Sequence, residues 1–264
     1  MLSDDIIASL LTIAREAGEA ILEVYSSDFD VHIKSDKSPV TEADFNANQV
    51  IMDGLENLQV QYPVLSEEGS HIPYESRINW QRFWLVDPLD GTKEFIKKNG
   101  EFTVNIGLIE KGVPVFGVVY APVVGCIYWG GNDYGAFKME NSMEKMSISV
   151  KTTFLAPILV AGSRSHPGDK MKTFLNQFDN TEVIPMGSSL KICSVAEGKV
   201  HVYPRLGPTM EWDTGAAHAI LKAAGGEINK YGTNTPLTYN KQNLLNPEFI
   251  AGNIKFMDNL IHVK

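Results

Sequence analysis

The chain has 264 residues, 44% of them hydrophobic, and a formal net charge of -9 at pH 7. This length allows one large core or two fused lobes, and the composition is that of a soluble globular protein. The acidic balance, with no lysine and arginine cluster interleaved with aromatics, excludes a general nucleic-acid binder. An acidic protein that handles anionic substrates needs cations at its site, so the charge favours metal use.

The N-terminal segment predicts an amphipathic helix over residues 3–26, because apolar residues recur at helical spacing and Ser3 can cap it. The opening SDDIIASLL carries acids where a signal peptide would carry positive charge. We therefore expect a cytoplasmic protein. Its two cysteines, Cys126 and Cys193, have no metal-ligand spacing and are expected to be reduced, buried thiols.

Residues 34–44, KSDKSPVTEAD, predict a loop because they combine a Ser-Pro pair with scattered polar residues. A second helix is expected to begin after Thr41 and run through Leu58, with apolar residues on one face. Asp44 would then lie in the first helical turn. The helix dipole favours a carboxylate there, which would explain Asp44 without any function.

The stretch WLVDPLDGTKEF, residues 84–95, brings two carboxylates together. Its first residues predict the end of a buried strand, and Pro88 cannot extend one, so the chain should bend after Asp87. The bend would place Asp87 close to Asp90. Two such carboxylates repel unless a cation lies between them, and hard oxygen ligands suit a magnesium-type ion.

Gly91 and Thr92 should open a short helix that runs to residue 98, so free amides would face the same spot. The alternative is ordinary turn chemistry, in which one Asp closes a turn and the other caps a helix. Further acids at element ends favour the metal site over that alternative. They are Glu67 with Glu68, and Glu211 with Asp213.

Residues 112–132 carry no charge and are long enough to raise the question of a membrane span. Their prolines, glycines and β-branched residues instead favour two buried strands joined at Ala121 and Pro122. Period-two alternation from Thr103 to Ser149 predicts an antiparallel meander. The first lobe, residues 1–152, is thus predicted to place helices on a largely antiparallel sheet.

The second lobe, residues 153–264, is predicted to alternate strands and helices and to pack on the first without a linker. We expect strands at 158–161, 182–185 and 199–203, and helices near 168–178, 188–197 and 214–224. Gly198 and Gly225 should end two of the helices. Gly187 to Ser189 open a helix and predict an anion site within reach of Lys191.

DPLDGT, with the upstream EE and the downstream WD, resembles the inositol monophosphatase superfamily of magnesium-dependent, lithium-sensitive phosphatases. Residues 187–226 are similar to its bisphosphate nucleotidase branch, and the likeness extends from the first helix to about Phe249. The resemblance implies an α+β fold, a layered α/β/α/β/α sandwich. It also implies two or three Mg²⁺ ions per site, which hold a nucleophilic water and the leaving oxygen in line.

By this resemblance the metal ligands are Glu67, Asp87, Asp90, Asp213 and the Leu89 carbonyl. Asp87 would bridge two ions and Glu68 would support the ligands from behind. Thr92 and Asp44 correspond to the family's water-activating pair. The cleaved phosphate would contact the ligand residues together with Gly91 and Thr92.

In the bisphosphate nucleotidases, positions matching Ser188, Lys191 and Arg205 hold the nucleotide and its second phosphate, and His166 lies near the base. Taken alone, these residues would be a cap, a surface lysine, a solvated loop arginine and a loop-capping histidine. The resemblance implies magnesium-dependent hydrolysis of adenosine 3'(2'),5'-bisphosphate to AMP and phosphate, a step of sulfur metabolism. It leaves a homodimer, or loose contact with the inner face of the cell membrane, open.

Two other functions compete with this one. An inositol monophosphatase or other sugar phosphatase would need a neutral polyol pocket, against which Lys191 and Arg205 argue. A non-catalytic nucleotide-binding sensor should have lost a metal ligand or the Thr92 and Asp44 pair. The sequence retains all of them.

Overall fold

A computed structural model describes residues 1–28, 30–33, 39–69, 72–141, 144–163 and 168–262. It contains a seven-stranded sheet, a five-stranded sheet and a small two-stranded hairpin. Three apolar cores separate the layers, as expected when both faces of two sheets must be covered. The result is the predicted α/β/α/β/α sandwich.

The outer layer on one side is formed by α1 (Asp4–Tyr25) and α2 (Glu42–Glu56). Ser3 caps α1 by accepting a hydrogen bond from the Ile6 amide at 3.3 Å, as predicted. The loop expected over 34–44 is wrong from residue 39 onward. Val40 and Thr41, which are β-branched, belong to β2 (Pro39–Thr41), which pairs with β1 (Val31–Ile33). Residues 34–38 lie outside the described part of the chain.

The seven-stranded sheet runs in the order β3-β4-β5-β6-β7-β8-β9, antiparallel except for the parallel pair β3 and β4. Its strands are β3 (Val64–Ser66), β4 (Arg82–Asp90), β5 (Thr103–Glu110), β6 (Val113–Ala121), β7 (Cys126–Gly131), β8 (Gly135–Glu140) and β9 (Met146–Ser147). The predicted meander is confirmed, and the uncharged segment forms β6 and β7. None of the described helices is long and apolar enough to cross a membrane.

The end of β4 differs from the prediction. The strand does not stop before Pro88 but continues to Asp90, with a register shift against β5 between Asp87 and Asp90. A proline is tolerated at such a bulge because no ladder hydrogen bond is needed from its nitrogen. The helix that follows, α4 (Thr92–Ile96), ends two residues before the predicted Lys98. A second short helix, α3 (Tyr74–Arg77), precedes β4.

The five-stranded sheet has the order β11-β10-β12-β14-β13. Its strands are β10 (Ile158–Gly162), β11 (Thr181–Pro185), β12 (Val202–Arg205), β13 (Gly226–Lys230) and β14 (Phe249–Asn253). Its helices are α5 (Asp169–Leu175), α6 (Leu190–Ala196), α7 (Gly215–Ala223) and α8 (Ile254–His262). The last two strands and α8 were not predicted.

Strand β12 starts three residues later than predicted because the end of α6 takes up the intervening chain. The amides of Lys199 and Val200 both donate to the Ser194 carbonyl, at 2.9 and 3.3 Å. Gly198 and Gly225 have positive φ and end α6 and α7, as predicted. The two sheets separate between residues 147 and 158, while the division into lobes at residue 152 stays a prediction.

Helix α7 packs between the two sheets, and glycines of the first sheet let it approach closely. A Cβ at Gly107 would lie 3.0 Å from the Ala216 nitrogen, and one at Gly117 would overlap the Ala216 carbonyl. Both cysteines are buried in the same inter-sheet core and form no disulfide, as expected. This packing fixes the residues just before α7 against the ends of the first sheet.

We expect Gly117→Ala to destabilise the protein by about 1–3 kcal/mol, because the new methyl group must displace the α7 backbone. Urea unfolding should show the loss as a lower midpoint. Gly207→Ala is the matched control, since a Cβ there meets nothing within 4 Å. Its stability should change by less than about 1 kcal/mol. Equal stability of the two variants would mean that α7 does not depend on this close approach.

Candidate metal centre

Three carboxylates from three separate segments converge at one edge of the seven-stranded sheet. Glu67 directly follows β3, Asp87 lies at the bulge of β4, and Asp213 lies two residues before the start of α7. One oxygen from each lies within 4.8 Å of the others. The structure therefore brings together three of the four carboxylates that the sequence predicted as metal ligands.

The electrostatics of the cluster favour a bound cation. Asp87 is 1% exposed, and burial, followed by the charges of Glu67, Asp90 and Asp213, raises its pKa well above the ordinary value. Burial and the charge of Asp90 likewise raise the pKa of Asp213. Among the described residues, neither Asp87 nor Asp213 forms an ion pair with a lysine or arginine. An all-oxygen set of this kind fits Mg²⁺, Mn²⁺ or Ca²⁺.

Asp90 is held differently from the other three carboxylates. Its Oδ2 accepts hydrogen bonds from the Ser188 hydroxyl at 2.9 Å and from the Ser189 amide at 2.6 Å. The amide and hydroxyl that were predicted to bind an external anion before α6 thus bind the chain's own Asp90. Glu68 is not part of the three-carboxylate cluster, and Leu89 is 2% exposed within the bulge.

Thr92 and Asp44, the predicted water-activating pair, are in contact. The Thr92 hydroxyl donates to Asp44 Oδ1 at 3.4 Å, and Asp44 Oδ2 accepts from the amide and hydroxyl of Thr41 at 2.8 and 2.7 Å. Asp44 therefore caps α2 with one oxygen and faces Thr92 with the other. The helix start at Thr41 was predicted but its bonds to Asp44 were not, although a Thr three residues before an acid is the signature of a capping box.

A groove leads away from the carboxylates through three adjoining cavities. The first, of about 530 Å³, is lined by Glu67, Asp87, Leu89, Asp90, Gly91, Thr92 and Asp213, among others. The second, of about 320 Å³, shares Asp90 with it and adds Ser188, Lys191 and Arg205. The third, of about 430 Å³, shares Lys191 and Arg205 and adds Met171 and Leu206.

Lys191 is buried at the junction of the second and third cavities, so the alternative of a surface lysine is wrong. It is 7% exposed, and its Nζ donates to the Met186 carbonyl at 3.3 Å. Burial, aided by the nearby Arg205 and opposed by Asp90, lowers the pKa of Lys191 to about 8. Among the described residues its hydrogen-bond acceptor is this backbone carbonyl, and a buried ammonium so placed favours an anionic ligand.

Arg205 lies beside Lys191 with part of its hydrogen-bonding capacity unused. Its Nη2 donates to the Pro208 carbonyl at 2.7 Å, while its buried Nε has no partner among the described residues. Two cations therefore line the second and third cavities together. His166 lies outside the described residues, so its place near a base stays a prediction.

The roles of two further residues, Lys93 and Glu211, differ from what the sequence suggested. Lys93, which directly follows DPLDGT, lines the first two cavities and was missed. Glu211, which drew attention as an acidic neighbour of Asp213, is fully buried away from the groove. It accepts from the amides of Asn240 and Lys241 at 2.6 and 3.0 Å and pairs with the Lys241 ammonium. Its role is structural.

Comparisons with known proteins agree with this architecture. Residues 3–262 match the family model described as the inositol monophosphatase family. The chain is 49% identical over 240 residues to the 3'(2'),5'-bisphosphate nucleotidase CysQ of Escherichia coli strain K12, covering 90% of this chain and 95% of that protein. These findings confirm the predicted superfamily.

Solved structures of related proteins share the fold of this chain. The crystal structure of CysQ from Bacteroides thetaiotaomicron, a bacterial member of the inositol monophosphatase family, superposes with a TM-score of 0.82 at 42% identity, covering 94% of this chain and 96% of that one. The Thermotoga maritima IMPase TM1415 superposes with a TM-score of 0.79 at 22% identity, covering 98% and 96%, and supports the fold alone. The chain belongs to the inositol monophosphatase family, whose enzymes are metal-dependent phosphatases.

Proposed function

We propose that this chain is a magnesium-dependent 3'(2'),5'-bisphosphate nucleotidase that converts adenosine 3'(2'),5'-bisphosphate to AMP and phosphate. The observation that carries the proposal is the groove, which joins a three-carboxylate centre to the buried Lys191 and the neighbouring, half-buried Arg205. Relatives with this activity in their names match 90% or more of the chain at up to 49% identity. Such a substrate has one phosphate to cleave and another to hold.

The carboxylates would hold two or three Mg²⁺ ions, with Glu67, Asp87, Asp213, the Oδ1 of Asp90 and the Leu89 carbonyl as ligands. When bound, these ions supply neutralisation of the phosphoryl oxygens and a water of lowered pKa. Gly91 and Thr92 would contact the cleaved phosphate. Glu68, just after Glu67, would support the ligand set from behind.

Thr92 and Asp44 would orient and deprotonate the attacking water. Because the Thr92 proton is directed at Asp44 Oδ1, the hydroxyl oxygen keeps its lone pairs for a proton from the water. Thr41 fixes the other Asp44 oxygen, so the carboxylate is held in position before substrate arrives. Proton transfer of this kind follows the usual logic of general-base catalysis.

The remaining phosphate would be bound by Lys191 and Arg205. Ser188, whose hydroxyl donates to Asp90, lines the same cavity. Beyond them, the third cavity is walled by Tyr203, Met171 and Leu206, which suit a flat apolar group such as a nucleobase. An inositol phosphate offers no second anion to this cation pair. A sensor without catalysis is disfavoured because every predicted catalytic residue in the described chain lies in or beside the groove.

We further propose that residues 1–152 carry the metal centre and residues 153–264 the substrate wall, packed as one unit. The protein would act in the cytoplasm on a by-product of sulfur metabolism. A homodimer and loose association with the inner membrane face stay predictions.

The direct test is a phosphate-release panel with adenosine 3',5'-bisphosphate, AMP, inositol 1-phosphate and fructose 1,6-bisphosphate. We expect the bisphosphate nucleotide to give the highest kcat/KM, no turnover in chelator, recovery with Mg²⁺, and inhibition by Li⁺ or excess Ca²⁺. Higher kcat/KM for inositol 1-phosphate would reassign the substrate. Full activity in the presence of chelator would contradict the proposed metal dependence of hydrolysis.

Asp87→Asn should abolish turnover yet stabilise the metal-free protein. The raised pKa of Asp87 in the fold, compared with 3.8 for an unperturbed carboxyl, means that its ionisation costs folding free energy as pH rises above that value. In chelator, the melting temperature of the variant should therefore exceed that of the wild type at pH 7–8, and the gap should close towards pH 4. Added Mg²⁺ should raise the melting temperature of the wild type only. Equal stabilisation of both proteins by Mg²⁺ would contradict the assignment.

Thr92→Val and Asp44→Asn should lower kcat by roughly a hundredfold or more, the usual scale for losing general-base assistance. Binding of Mg²⁺ should change much less, because neither residue is placed among the metal ligands. Thr92→Ser, which keeps the hydroxyl, is the matched control and should retain most activity. If kcat is unchanged in both variants, the two residues are structural, with Asp44 serving the cap of α2.

Lys191→Met and Arg205→Met should each lower kcat/KM for adenosine 3',5'-bisphosphate about tenfold to a hundredfold, the range expected for one charge-assisted contact. Turnover of AMP or inositol 1-phosphate should barely change, since a monophosphate has no second anion to hold. Lys172→Met, an exposed lysine of the same lobe, is the control and should match the wild type. Equal losses on both substrate classes would show that these residues are structural.

A further inference from the structure

Four polar side chains form a hydrogen-bonded cluster behind Asp90. Thr103 and Asn105 come from β5, and Ser188 and Ser189 come from the turn before α6. Thr103, Asn105 and Ser189 are at most 2% exposed. We call these four residues the Asp90 cradle. It joins a strand of the first sheet to the segment that carries Lys191.

The cradle directs three donors at one oxygen of Asp90. Oδ2 accepts from the Ser189 amide at 2.6 Å, the Ser188 hydroxyl at 2.9 Å and the Asn105 side-chain amide at 3.5 Å. Oδ1 receives no hydrogen bond from the described residues. Three donors on one oxygen limit the rotation of the carboxylate.

The order of protons in the cradle follows from the partners. Each hydroxyl has one proton, and that of Ser188 goes to Asp90. The Ser189 hydroxyl donates to Asn105 Oδ1 at 2.9 Å, which turns the amide nitrogen of Asn105 towards Asp90. Thr103 Oγ1 lies 2.6 Å from Ser188 Oγ and 2.8 Å from Ser189 Oγ. Since both serine protons are already committed, the single Thr103 proton can go to only one of the serine oxygens or to Asn105 Oδ1 at 3.2 Å, and Thr103 does not touch the carboxylate.

We propose that Thr103, Asn105 and Ser189 are positioning residues that hold Oδ2 of Asp90 so that Oδ1 is presented to the metal. The inference rests on the proposed function, in which Asp90 is a metal ligand. Hydrogen bonds behind a ligand fix its orientation before the ion binds, and losing one typically lowers metal affinity tenfold to a hundredfold. Because Thr103, Asn105 and Ser189 are buried, bulk solvent has little access to replace a hydroxyl lost from them.

The test is calorimetric titration of the full chain with MgCl₂ in the absence of substrate. Thr103→Val and Ser189→Ala each remove one cradle hydroxyl and should raise the dissociation constant of Mg²⁺ at least tenfold. Thr103→Ser keeps the hydroxyl and should bind as the wild type. Ser194→Ala is a matched control, because this buried serine of α6 donates instead to the Lys191 carbonyl at 2.7 Å. It should stay within about twofold of wild-type affinity.

A second measurement separates positioning from general damage. The Mg²⁺ concentration for half-maximal hydrolysis should rise in Thr103→Val and Ser189→Ala, while kcat at saturating Mg²⁺ recovers to within a few-fold of the wild type. Circular dichroism confirms that each variant is folded, and the smaller Ser189→Ala change decides the matter if Thr103→Val does not fold.

The outcomes separate this inference from the proposed function. Wild-type affinity in both hydroxyl-loss variants, with binding lost in Asp87→Asn, overturns the cradle alone. Equal loss in Ser194→Ala also overturns it, since the effect would then follow from any missing hydroxyl in α6. A wild-type chain that binds no Mg²⁺ overturns the metal centre and the cradle together.

Discussion

Mutual repulsion among clustered carboxylates is the constraint on which the rest of the structure depends. Glu67, Asp87 and Asp213 would separate if each lay on a free loop. They stay together because each is fixed by backbone: the parallel pairing of β3 and β4, the bulge of β4, and the close packing of α7 on the sheet. The fold thus holds these carboxylates together against their repulsion, which a bound divalent cation would reverse. This explains why helices and strands, rather than free loops, hold the few carboxylate oxygens in place.

The two sheets make different contributions to one groove. The first carries the carboxylates and Thr92, and the second carries Lys191 on α6 and Arg205 at the end of β12. Asp90 links the two sheets. It lies at the end of β4 in the first sheet, and its carboxylate accepts hydrogen bonds largely from the turn before α6. In the proposed function, the spacing between the sites for the cleaved and the retained phosphate would therefore be set by how the sheets pack.

Local patterns predicted much of this arrangement. Helical periodicity gave α1 and α2, alternation gave the meander, and DPLDGT with its flanking acids gave the carboxylates. The failures have physical causes. GEINK and FIAGN are too short and too mixed to show a period, and they form β13 and β14 by pairing with each other across the chain. Ser188 and Asp90 are 98 residues apart in the sequence, so the residues around Ser188 carry no local pattern that predicts their hydrogen bond.

The buried thiols of Cys126 and Cys193 allow the inter-sheet core to be observed directly. Burial raises the pKa of both groups, so each stays protonated and poorly nucleophilic while the sheets remain packed. An alkylating reagent can then reach them only through an opening of the core. When every labelling event requires such an opening, the labelling rate reports the free energy of separating the two sheets. One of these sheets bears the acids and the other bears the cations, and the measurement needs no added probe.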